Sequence, residues 1–129
     1  MTTHREHGAA FLALVDEARP RVREISIAEY GERLMRREQH VLIDVREDHE
    51  WPAGRLPGAL HLGRGILERD IESLFADRRT PIVCYCGGGY RSVLACDSLQ
   101  RMGYTNTVSL AGGYRGWQEA GLPVETEGE

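Results

Sequence analysis

The chain has 129 residues, 28% of them charged, and a net charge of −4, which suits one globular domain built around a single core. That acidic balance speaks against broad binding to nucleic acid or to an anionic membrane surface, and no apolar run approaches the ~20 residues of a membrane span. All 16 basic residues are arginine, which excludes Schiff-base and lysine-base chemistry.

In chain order, residues 1 to about 8 read as a frayed start. Arg5 and Glu6 precede only a brief apolar run with no convincing cleavage site, so a signal peptide is not expected. Ala10, Phe11, Leu14, Val15 and Ala18 then share one helical face, and Pro20 closes the run. This N-terminal extension, residues 1–22, is expected to pack on the side of the domain rather than to form a dimer contact. Arg23-Glu24-Ile25 suits a short first strand. Ser26 and Glu29 form a capping-box pattern that opens a helix, with Ile27, Tyr30 and Leu34 facing inward. Val41 to Val45 is the second strand. Trp51-Pro52 and Leu56-Pro57-Gly58 punctuate a loop before a short strand at 59–62. Ile66, Leu67, Ile71, Leu74 and Phe75 predict one or two short helices. Ile82 to Tyr85 carries no charge, as a strand covered on both faces requires. A helical run from Val93 to Met102 follows and stops at Gly103-Tyr104. Thr107 to Leu110 is the last strand, and Gly113 to Ala120 a closing helix with Trp117 inward. Residues 125–129 read as an acidic, solvated tail. Strands alternating with helices predict an α/β fold with a parallel sheet and right-handed crossovers.

The chemistry concentrates at the end of the uncharged strand, in Cys86-Gly87-Gly88-Gly89-Tyr90-Arg91-Ser92. In a parallel sheet the ligand crevice lies outside the carboxyl ends of the strands, and Cys86 falls there. Three glycines clear the loop of side chains and let backbone N–H groups converge on one point. The positive end of the following helix aims at the same point, and Arg91 adds a permanent cation with a planar donor fork. Such surroundings favour the thiolate form of a cysteine and cradle a small oxyanion. They suit a nucleophilic sulfur working on an anionic substrate.

This loop resembles the active-site loop of single-domain rhodaneses, a family of sulfurtransferases. Two flanking stretches agree. Leu42-Ile43-Asp44-Val45-Arg46-Glu47, followed by Gly54-Arg55-Leu56-Pro57-Gly58-Ala59, resembles the family's first signature, with Arg55 where the family usually carries His. Gly112-Gly113-Tyr114-Arg115-Gly116-Trp117, with Gly121-Leu122-Pro123-Val124, resembles its closing one. The likeness spans residues 23–124 and implies a three-layer fold, a central parallel β-sheet flanked by helices. It further implies Cys86 as the catalytic residue, persulfidated in turnover, and Gly87, Gly88, Gly89, Tyr90 and Arg91 as substrate-binding residues. Asp44, Arg46 and Ser92 would support them. The partners implied are a small anionic sulfur donor (thiosulfate or a persulfide), a cyanide or thiol acceptor and, as an option, a sulfur-relay protein. Thr at the Arg91 position would mark the mercaptopyruvate-type pattern, which this loop lacks. Neither metal nor organic cofactor is implied.

Other reactive-looking residues have plainer readings. Asp44 and Arg46 read more simply as a turn-capping carboxylate and an ion pair of Arg46 with Glu47 or Glu50. Cys84 and Cys96 read as buried small hydrophobes, since a lone C-x-C lacks zinc-site spacing. Three cysteines so spaced are no disulfide framework and fit a reducing cytoplasm. No two of His4, His7, His40, His49 and His61 have helix-face ligand spacing; His49 and His61 stand nearest the crevice, and neither is expected to be catalytic. Two rival functions share these residues. Cysteine-dependent phosphatases also place Cys at a strand end and Arg at a helix head, but with five residues between them, against four here. A non-catalytic sulfur-relay or binding module would use Cys86 only as a docking point.

Overall fold

Five short strands and five α-helices make up the computed structural model, which describes residues 7–127. Helix α1 (Ala9–Ala18) runs through a 3-10 turn (Arg19–Arg21) into β1 (Arg23–Ile25) and α2 (Ile27–Met35). Then come β2 (Val41–Asp44), β3 (Leu60–His61), α3 (Leu67–Leu74) and β4 (Ile82–Tyr85). The chain closes with α4 (Arg91–Arg101), β5 (Thr107–Leu110) and α5 (Gly113–Glu119). The strands form one sheet in the order β1-β5-β4-β2-β3, and every pairing is parallel. Among the described residues no helix is long and apolar enough to cross a membrane.

The central strand explains the layers. Side chains alternate along β4, so Ile82, Cys84 and then Cys86 enter one apolar cluster while Val83 and Tyr85 enter the other. The first cluster adds Val15 and Ala18 of α1, Leu67 and Ile71 of α3, and Val93, Cys96 and Leu99 of α4. The second adds Tyr30 of α2 and Trp117 of α5. Helices therefore cover both faces, as an uncharged central strand requires.

The connections set the site's position. After β2 the chain moves outward to β3; after β4 it crosses the other way, through α4, to β5. Neighbouring strands whose exits diverge open a crevice at their carboxyl ends. Asp44 is in register with Tyr85 there, so the loops following both residues border one cleft.

Local signals account for the remaining elements, with two differences. The Ser26 Oγ accepts the Glu29 N–H at 3.0 Å and the Glu29 carboxylate accepts the Ser26 N–H at 2.8 Å, closing the expected capping box. Leu14 and Leu34, expected inward, are 60% and 41% exposed, because Val15 with Ala18 and Tyr30 already fill the narrow buried stripes of their helices. The tail is not wholly solvated: Glu125 and Arg55 exchange both backbone hydrogen bonds at 2.9 Å, and the Glu127 N–H reaches the Pro52 carbonyl. The loop after β2 offers an open backbone edge, and the chain end pairs with it. Residues 1–6 of the expected frayed start and 128–129 of the tail lie outside the described residues.

Candidate active site

Cys86 follows directly on β4 and is 1% exposed. Its Sγ accepts the N–H of Gly89 at 3.2 Å and that of Ser92 at 3.4 Å. No side chain caps the start of α4; the Ser92 N–H of its first turn points to the sulfur, and the Val93 N–H bonds the Tyr90 carbonyl at 3.2 Å. The Ser92 hydroxyl lies 3.5 Å from Sγ and 2.8 Å from the hydroxyl of Ser109 on β5, all three groups being buried.

The amides can face inward because another element takes the loop's carbonyls. The N–H groups of Tyr114 and Arg115, at the head of α5, bind the carbonyl oxygens of Cys86 and Gly87 at 2.8 and 3.0 Å. This approach is so close that a Cβ on Gly113 would collide with the Cys86 carbonyl oxygen. Gly89, at φ +99°, turns the loop in the left-handed region, with the Gly112 backbone packed against its Cα. The closing Gly-Gly-Tyr-Arg stretch is thus a clamp on the cysteine loop.

Charge is arranged in two separate pairs. Arg91, at the head of α4, forms a two-point ion pair with Glu50 from the loop after β2, at 2.9 and 3.3 Å. Burial works to raise the Glu50 carboxyl, but Arg91 and the Glu47 N–H outweigh it and hold the group below its usual value. Arg46 is not the partner of Glu47 or Glu50. It pairs with Asp44, Nη2 to Oδ2 at 2.8 Å, donates to the Gly54 carbonyl, and lies 4.4 Å from the centre of the Tyr114 ring. The Tyr85 hydroxyl completes this buried cluster by donating to Asp44 at 2.6 Å. Burial, then the Asp44 charge, push the Tyr85 phenol well above its usual range, so it stays a donor. Asp44 and Arg46 therefore fasten the loop after β2 and do not line the cleft. Their mutual pairing satisfies both buried charges, and Glu50 is left to face the cysteine loop.

The cleft over Cys86 measures about 490 Å³. Gly87, Gly88, Tyr90 and Arg91 line it from the cysteine loop, and Glu47, His49 and Glu50 from the loop after β2. Gly89 and Ser92 lie beneath, against the sulfur. His7 and Phe11 form a further wall. Helix α1 does pack on the side of the domain, and its start also reaches over the active-site loop. The His7 ring centre is 4.6 Å from that of Tyr90, and Phe11 lies 6.4 Å from it. Glu50, His7 and Phe11 had no marker in the sequence beyond an amphipathic helix and an acidic loop. His61 stacks on Trp51 at 5.0 Å and bonds the Arg46 carbonyl, away from the sulfur. Among the described residues no group of three or more His, Cys, Asp or Glu side chains is placed to hold a metal ion.

Comparison with known proteins agrees with this geometry. A model of the rhodanese-like domain family matches residues 26–120. The thiosulfate sulfurtransferase GlpE of Actinobacillus succinogenes is 37% identical over 93 residues, covering 72% of this chain and 82% of that protein. The polysulfide-sulfur transferase homodimer of Wolinella succinogenes superposes with a TM-score of 0.76 at 29% identity, over 94% of this chain and 90% of that one. A Rhodopseudomonas palustris protein of unknown function, described as a possible tyrosine phosphatase, superposes with a TM-score of 0.82 at 29% identity, over 97% and 99% of the two chains. With its parallel sheet, clamped cysteine loop and matching sequence, the chain belongs to the rhodanese-like domain family.

Proposed function

We propose that the protein is a sulfurtransferase that carries sulfane sulfur as a persulfide on Cys86, from thiosulfate or a persulfide donor to a thiophilic acceptor, cyanide or a thiol. The observation that carries this reading is the Cys86 sulfur on the floor of a cleft, receiving two backbone N–H groups with Arg91 at the rim.

In the first half-reaction the Cys86 thiolate attacks the outer sulfur of thiosulfate. The donor's S–S bond breaks, sulfite leaves with the electron pair, and the outer sulfur stays on Cys86. Arg91 neutralises the donor's oxyanion: its guanidinium has five N–H donors, and Glu50 engages only part of the fork. In the second half-reaction the acceptor attacks the outer sulfur, and the electron pair returns to Cys86 Sγ. The loop amides hold the anionic sulfur in both stages as preorganised donors, each worth about 2.7–4 kcal/mol of barrier in comparable oxyanion sites. The Ser92 hydroxyl can turn to the ionised sulfur while accepting from Ser109. Two displacements on one nucleophile predict ping-pong kinetics, and the cycle as written uses neither metal nor organic cofactor.

One comparison favours a second reading, phosphatase chemistry, through the Rhodopseudomonas palustris protein. Four residues separate Cys86 from Arg91. That short loop, with amides already on the sulfur, suits a single added sulfur atom better than a phosphoryl group. We place the protein in the cytoplasm, where its three free thiols would remain reduced.

The test is intact mass after incubation with thiosulfate and then cyanide, for wild type and Cys86→Ser. The expected result is one added sulfur on wild type alone, removed by cyanide. No added sulfur, together with hydrolysis of an aryl phosphate, would replace this function with the phosphatase. Loading only from a protein persulfide would make the chain a relay.

A further inference from the structure

A cleft of about 490 Å³ is far larger than thiosulfate or cyanide needs and falls within the range of sites that enclose organic ligands. The extra space has a particular wall. His7 and Phe11 come from a segment outside the matched family region, residues 26–120, and both line the cleft. The His7 ring centre lies 5.2 Å from that of Phe11 and 4.6 Å from that of Tyr90, so the three rings make one continuous aromatic surface beside the cysteine loop. Glu47 and His49, from the loop after β2, also line the cleft.

Such a wall does nothing for the donor. Thiosulfate is compact and polar, its charge is met by the loop amides and Arg91, and the negative faces of aromatic rings do not attract an oxyanion. Cyanide is too small to touch the wall while attacking the sulfur. An acceptor with a carbon skeleton would use it.

We propose that Phe11 and His7 are specificity-determining residues for the acceptor. With Tyr90 they form the apolar surface on which a small organic thiol packs while its sulfur reaches the Cys86 persulfide. The inference rests on the sulfurtransferase reading above. In the step itself the acceptor thiol releases its proton to solvent and its thiolate attacks the outer sulfur. A new S–S bond forms on the acceptor, the bond to Cys86 Sγ breaks, and its electron pair remains on Cys86. Since Cys86 is 1% exposed, the acceptor has to enter the cleft to reach the sulfur, which suits a molecule the size of a short peptide thiol.

The full chain is loaded with thiosulfate, freed of excess donor, checked by intact mass, and discharged with glutathione or with cyanide. The readout is the ratio of the two second-order rate constants. Phe11→Ala should lower the glutathione-to-cyanide ratio about tenfold, the scale of one lost apolar contact in a specificity pocket. His7→Ala should lower it by a smaller factor, and Phe11→Leu should restore most of the loss. Leu14→Ala, on the same helix but 60% exposed and outside the cleft, should keep the wild-type ratio. If Phe11→Ala fails to fold, Phe11→Ser and His7→Ala carry the test. A ratio unchanged in the Phe11 polar or alanine variant and in His7→Ala, when they load normally, or an equal fall with both acceptors, overturns the inference and leaves the sulfurtransferase reading standing. A wild-type chain that takes up no sulfur brings down both.

Discussion

Cys84 and Cys86 are two residues apart, on the same face of the same strand direction, and both are buried. Cys84 lies inside the sheet, in the same buried cluster as Cys96; that neighbouring thiol and complete burial push it well above its usual value. Cys86 lies one step past the strand's end, where Gly89 and Ser92 present their N–H groups to the sulfur. One thiol is held as a small hydrophobe, the other beside donors suited to an anion. Position relative to the carboxyl edge of the sheet, rather than residue type or exposure, decides which thiol meets backbone donors.

The largest expected effect sets these two cysteines against each other. Cys86→Ser should reduce thiosulfate:cyanide turnover to background with a melting temperature close to wild type. Cys84→Ala should keep most of the turnover and lose about 1 kcal/mol of stability through the small cavity it leaves. Turnover and thermal melts on both variants check this. Loss of activity in Cys84→Ala at unchanged stability would erase the distinction.

The clamp from α5 sharpens the comparison next, because it keeps the edge sulfur among amides. Gly113→Ala forces a Cβ into the Cys86 carbonyl at a left-handed position, φ +53°. We expect about 2 kcal/mol of lost stability, the cost of strain at such a backbone site, and turnover reduced more than tenfold as the amides move off the sulfur. Near-normal turnover in the folded variant would show that the loop holds its shape without the clamp.

The edge was readable in the sequence because its parts are local. An uncharged strand, a cysteine, three glycines and a helix lie within twenty residues, and each has its own signal. What surrounds the edge depends on contacts between distant residues. Glu50 meets Arg91 across a separation of 41 residues, and nothing near Glu50 distinguished it from Glu47 as an arginine partner. Arg46 turned back to Asp44 because the strand end buries both, which local charge patterns do not reveal. Phe11 showed its apolar face in the helical pattern, but that pattern has no direction in space. Only packing of α1 along α4 brings its start over Tyr90.

Arg91 and Glu50 are expected to give smaller, separable effects. Arg91→Ala should raise the KM for thiosulfate about tenfold, the loss of roughly 1.4 kcal/mol of anion binding, and affect discharge by cyanide less. Glu50→Gln retains a hydrogen-bond acceptor for Arg91 but not its charge, so about a threefold rise in donor KM is expected. Steady-state kinetics with varied thiosulfate separate the two. A fall in KM in Glu50→Gln would mean that Glu50 competes with the donor for the guanidinium instead of holding it in place.

The same pair makes the mildest prediction, a dependence on pH. The Glu50 carboxyl is held below its ordinary value of 4.5, so the folded protein binds fewer protons there than the unfolded chain as the pH passes through that region. The pair's contribution is therefore fully present above about pH 4.5 and is lost as the pH falls through the lower, folded-state value. Because thiosulfate stays anionic throughout, donor KM should be flat from neutral pH down to about pH 4.5 and rise only below it. Glu50→Gln has no carboxyl to protonate and should lack that acid rise, so the curves of mutant and wild type should converge at low pH. An acid rise that persists unchanged in Glu50→Gln would assign it to another group and leave Arg91 binding its donor without help from Glu50.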